Sequence, residues 1–154
     1  MLIDIAPTEG FSVIKLVHTA VSLTFLVITV WLFTRSFKGY FKGKPFLRTD
    51  KLLSFGFIIS LYTQLIFGLI LFSNLGSGVG YNYWGIADSV KIVSKRLWPV
   101  EHIVLMLFAL FIANLGLIIS VNTKSDKNKH KTILVYYSIA LGLIIFSLSA
   151  IYLF

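Results

Sequence analysis

Four apolar runs, about 11–34, 52–74, 99–121 and 132–153, are each long enough to cross a bilayer as a helix, and short polar connections separate them. A hydrocarbon core about 30 Å thick takes about 20 residues of helix, so the four runs use most of the chain. With 57% hydrophobic and only 13% charged residues among 154, the chain is no ordinary soluble domain, in which charged residues make up about 25%. The expected fold is an all-α membrane protein, one integral domain over 1–154 built as an up-and-down bundle of four transmembrane helices.

The formal charge of +8 sits between the apolar runs. Arg35, Lys38, Lys42, Lys44, Arg48 and Lys51 fill the first connection, and Lys124, Lys127, Lys129 and Lys131 fill the third. Two loops this short build no aromatic-basic groove, so nucleic acid is excluded as a partner. Cation-rich short loops belong on the cytoplasmic side, which puts both termini and the second connection outside. The N-terminus lacks the basic start and the cleavage site of a signal peptide and is expected to be retained. Without cysteine there is no disulfide, thiolate metal site or thioether-linked haem.

In the first run Lys15, His18, Ser22, Phe25 and Thr29 follow three- and four-residue steps and share a face that must point into the bundle. The connection over 35–51, with Gly39, Gly43 and Pro45, reads as a loop whose aromatics lie in the headgroup layer. Gly56, Ser60, Gln64 and Gly68 form a small and polar stripe on the second run, with Gln64 near mid-span as packing glue. The outer connection is flexible at first, then turns amphipathic from Ile86 to Leu97, which predicts a short interfacial helix between the second and third spans. Pro99 suits the first turn of the third span. Its seam is His102, Met106, Ala109, Ala113, Gly116 and Ser120; Ser138, Gly142, Ser149 and Ala150 are the packing positions expected of the fourth.

Ionisable residues inside a span are functional candidates by default. His18 and His102 enter from the same side and share a depth, so facing helices would bring two neutral imidazoles to one space, the ligand set of a non-covalently held haem b. Met106, Phe25, Phe67 and Phe108 are candidate walls, and Lys15 and Arg96 are cations for the propionates. The same residues also fit interfacial histidines that are only hydrogen-bonded, with Lys15 snorkelling to headgroups and Arg96 paired to Glu101. Glu101 reads as a local partner of Arg96, and Gln64 as a residue that supports the site from behind. His130, in KSDKNKHK, reads as a solvated histidine in a basic loop. No catalytic triad, metal-spaced cluster or phosphate loop can be assembled, so an electron carrier or a subunit is expected before a stand-alone enzyme.

Several stretches together resemble a family of small bacterial four-helix membrane proteins labelled cytochrome b-like: His18-Thr19, K-P-F-x-R-x-D-K ending in Asp50 and Lys51, Q-L-I-F-G-L with Gln64 and Gly68, R-L-W-P-V-E-H-I-V-L-M-L from Arg96, and the K-H-K around His130. The resemblance covers nearly the whole chain in order. It implies haem b and electron transfer with a quinol or a respiratory partner. The chain departs from the family where a Gly-His pair often closes the third helix, since Leu117 follows Gly116 here. The competing expectation is a non-catalytic accessory subunit of a larger membrane complex. A quinone site built on Glu101, Arg96 and Gln64 is a third reading.

Overall fold

Gly43, at φ 63°, ends the first helix about two turns later than the apolar run does. The structure, a computed structural model, describes residues 7–73 and 93–153, with side chains over 13–71 and 100–149. These residues form α1 (Pro7–Lys42), α2 (Arg48–Ser73), α3 (Val93–Asn122) and α4 (Asp126–Leu153). Each is long and apolar enough to cross a membrane, so the chain is a multi-pass membrane protein in contact with the lipid bilayer. Most of the interfacial helix expected over 86–97 lies outside the described residues, and 93–97 belong to α3. Pro99 therefore stands in the second turn of α3 and does not open it.

The first connection shrinks from the expected loop to residues 43–47 because α1 runs through Gly39. One glycine inside a helix costs only about 1 kcal/mol, and this one has a use. A Cβ at 39 would overlap the ring of His130, so α1 and α4 can close here only over a bare Cα. The left-handed Gly43 then turns the chain, and Pro45 stops the helix from resuming. Leu47 caps α2: its carbonyl takes the Asp50 N–H at 3.0 Å, and its own N–H donates to Asp50 Oδ2 at 2.7 Å. Arg35 reaches over from α1 and grips the same carboxylate through Nε at 2.6 Å and Nη2 at 3.1 Å. Asp50 thus fixes the start of α2, the turn and the end of α1 at once.

Each helix packs on its neighbours in sequence, and α1 closes the ring against α4. The α3–α4 contact is the most extensive and the α1–α2 contact the next, so the bundle is two tight helical hairpins laid together with α1 diagonal to α3. Between 17% and 33% of each span is buried, so packing uses narrow seams and the remaining surface, including Trp31, Phe111 and Phe146, faces lipid. Phe57 of α2 sits between Phe25 of α1, with centroids at 4.7 Å, and Tyr137 of α4, stacked at 4.4 Å. The Tyr137 hydroxyl donates to the Ser54 carbonyl at 3.2 Å, which satisfies it in the core.

The packing face of α4 differs from the expected one. His130, Ile133, Tyr137, Ala140, Ile144 and Ser147 alternate steps of three and four and are buried, whereas Ser138 and Gly142 are exposed. Small residues mark an interface only where backbones must approach closely. On this helix large side chains fill the seam, and the close approach is made from the other side by Gly116 of α3.

A Cβ at Gly116 would stand 2.5 Å from Tyr136 Cβ, an atom that no rotamer change can remove. Gly116→Ala should therefore destabilise the bundle by about 1–3 kcal/mol. Gly142→Ala, with nothing within 4 Å of the new methyl, should be neutral or gain up to about 1 kcal/mol from helix propensity. Thermal unfolding of the two variants in the same micelles checks the contrast.

Candidate functional site

All four helices contribute to a cavity of about 300 Å³ in the half of the bundle away from the two short turns. From α1 come His18, Ser22 and Phe25, from α2 Leu61 and Gln64, from α3 His102 and Met106, and from α4 Ile144 and Leu148. The two imidazoles thus enter one apolar space from diagonally opposed helices. The rim on the α1–α4 side, Leu26, Val30, Ile145 and Leu148, is exposed, so the cavity opens toward lipid between those helices.

Most of the polar atoms around this space are tied to one another or to a neighbouring helix. Gln64 Nε2 donates to the His18 carbonyl at 3.0 Å and to Ser22 Oγ at 2.7 Å, while Ser22 Oγ donates to the same carbonyl at 2.9 Å. A carbonyl that already accepts the helix bond thereby gathers two further donors, and α2 is pinned to α1 at the level of the histidine. His102 Nδ1 lies 2.7 Å from Ser147 Oγ of α4. With the proton on Nδ1, that bond orients the ring and leaves Nε2 as the basic nitrogen, the usual arrangement behind a ligating histidine. His18 Nδ1 is buried without a hydrogen-bond partner. Among the described residues no group of three or more His, Asp or Glu side chains could hold a metal ion. Two imidazoles, with Met106 beside them, are the donor set.

Gln64, expected as packing glue near mid-span, reaches the backbone carbonyl of His18 and the Ser22 hydroxyl across the seam between α1 and α2. Phe108 is exposed to lipid and Phe67 lies off the cavity, so Phe25, Leu61 and Met106 form the walls. Lys15 is half-buried about one turn from His18. Glu101 is exposed and does not line the cavity. The expected pairing of Glu101 with Arg96 lies outside the described side chains. Ser147 was missed, and the heptad-like steps from Ile133 through Tyr137 and Ile144 were the signal that could have found it.

His130 is the largest correction. It is 1% exposed, on the second turn of α4, under Gly39 and edge-on to Phe46 at 4.9 Å between ring centroids. The basic run around it forms a helix in place of a loop, with Lys131 exposed on one side and His130 turned in on the other.

The fold and cavity together define a class: a four-helix membrane protein with paired imidazoles between two hairpins. Comparison of the chain with protein-family models, with curated proteins and with solved structures finds no match. Function therefore has to be argued from the chemistry of the cavity.

Gln64→Leu keeps the volume and removes the two interhelical bonds. It should cost about 0.6–1.7 kcal/mol, the range for hydrogen bonds between membrane helices. Denaturant unfolding in micelles measures it, and a variant as stable as the wild type would show that the amide does not pin α2 to α1.

Proposed function

We propose that this protein binds haem b through His18 and His102 and carries electrons to or from a quinol or a respiratory membrane partner. The observation that carries the reading is that imidazoles from diagonal helices line one apolar cavity. The donor set fits the group: two imidazoles without a third protein ligand suit an iron whose other four ligands come from a macrocycle. A lipid-facing rim suits a large apolar guest, and Ser147 behind His102 supports a ligating ring. Bound haem would supply a one-electron iron couple. The protein's part is to hold the axial nitrogens, to exclude water with Phe25, Leu61 and Met106, and to offer Lys15 and Arg96 to propionates on the side where the two helices begin. The resemblance to cytochrome b-like proteins points the same way. In this reading the basic turns face the cytoplasm of a bacterial cell and the termini the periplasm.

A second reading is the accessory subunit of a larger membrane complex. Ser138 and Gly142, exposed on the lipid side of α4, favour it, since small residues let another helix approach. A quinone in the same cavity is the nearest competing occupant, because the unpartnered His18 Nδ1 there can donate to a carbonyl.

Protein purified after haem-supplemented expression should show a Soret band and a b-type pyridine haemochrome. His18→Ala and His102→Ala should each lose most of it, and Glu101→Gln should keep it. A colourless wild type would overturn the haem reading, and a stoichiometric colourless complex in mild detergent would favour the subunit.

A further inference from the structure

A second cavity, of about 390 Å³, lies at the opposite end of the bundle, beside the 43–47 turn. Arg35 and Lys38 of α1, Lys44 and Leu47 of the turn, Asp50 of α2 and His130 of α4 line it. Three of these carry positive charge and one is an acid. Both oxygens of that acid are already engaged, Oδ1 by Arg35 Nε and Oδ2 by Arg35 Nη2 and the Leu47 N–H. Asp50 therefore balances Arg35, and the charge of Lys38 and Lys44 is left over; both lysines are exposed and have no acid partner among the described residues.

One of the lining side chains is buried and lacks a partner: His130, at 1% exposure, has no hydrogen-bond partner on either ring nitrogen. A buried donor left unmade costs free energy, so such groups call for an occupant. At least one imidazole nitrogen carries a proton at any pH in the physiological range, so His130 always has a donor to give. Beside it the Arg35 guanidinium keeps further N–H groups beyond the two used on Asp50. An imidazole donor, a guanidinium edge and two ammonium groups around one cavity match an anion with several oxygen acceptors.

We propose that this cavity binds a phosphate group. Phosphate offers acceptors to all four side chains at once, which a single carboxylate does not. The cavity sits at the level where α1 leaves its apolar stretch, and Phe37, Tyr40 and Phe41 of the same stretch of α1 are in ring contact with one another, as aromatics stand in a headgroup layer. The phosphate can thus belong to a phospholipid or to a free ion. The site is independent of the histidine cavity, and its success or failure leaves the haem reading untouched.

The test uses the full chain in neutral micelles, titrated separately with phosphatidylglycerol, read by native mass spectrometry, and with inorganic phosphate, read by calorimetry. Lys38→Gln/Lys44→Gln should weaken binding about tenfold, the loss expected when charge-assisted contacts go. Lys42→Gln/Lys124→Gln removes the same charge outside the cavity and should leave binding near wild type. His130→Gln, if it folds, should weaken binding as well, and the lysine pair stands as the test if it does not. Selective loss in the lipid arm alone identifies a headgroup site, and loss in both arms a site for free phosphate. Equal effects of the two lysine pairs, or no binding of either probe to the wild type, would overturn the proposal.

Discussion

Helices in lipid gain little from hiding apolar side chains from one another, because the solvent is as apolar as they are. What holds such a bundle is close packing along narrow seams and the few polar bonds that cross them. Both are visible here at specific residues. Gly39 and Gly116 let ring-bearing side chains of α4 approach bare backbone, and the crossing bonds run from Arg35 to Asp50, from Gln64 to His18 and from Tyr137 to Ser54. Removing a glycine or a crossing donor therefore affects this fold more than trimming one of its many lipid-facing leucines.

The polar groups are sorted into two ends with an aromatic middle. Phe25, Phe57 and Tyr137 stack across the bundle and separate the histidine cavity from the basic one. No described ionisable side chain lines both cavities. The basic end holds its charges in a clamp, where a bidentate arginine and a helix cap share one carboxylate. The other end holds two imidazoles, the Gln64 amide and the hydroxyls of Ser22 and Thr29 in an otherwise apolar cavity.

Much of the architecture is legible in the sequence. The four runs mark the helices, and the seam of α3 from His102 to Ser120 follows directly from its three- and four-residue steps. The level shared by His18 and His102 follows from the alternation of spans. Other features depend on contacts between helices that no single run contains. Gly39 reads as a breaker until His130 is seen to need the space, and His130 reads as solvated until Gly39 is seen to admit it. Each residue hides the meaning of the other. Small residues on α4 suggested a seam, but Gly116 across the interface already supplied the room, so Ser138 and Gly142 could face lipid. The partner of Gln64 is likewise hidden, because the antiparallel offset between α1 and α2 that brings it to the His18 carbonyl is set by contacts such as the clamp at Asp50, about four helical turns away.

The pairing of helices gives the histidine cavity a mechanical character. α1 and α2 form one hairpin, joined at its turn by Arg35 and Asp50 and near the cavity by Gln64. α3 and α4 form the other, joined near the cavity by His102 and Ser147. The His102 ring is fixed by a bond internal to its hairpin, whereas in the other hairpin Gln64 holds the backbone carbonyl of His18 and leaves the ring nitrogen Nδ1 without a partner; the cavity lies on the looser boundary between the two hairpins. A guest held by both imidazoles would tie the two hairpins together there, and its binding free energy would add to the stability of the bundle by mass action. The bond from His102 to Ser147 forms without the guest, so that ring is oriented before it arrives, whereas ordering the His18 ring draws on the binding free energy.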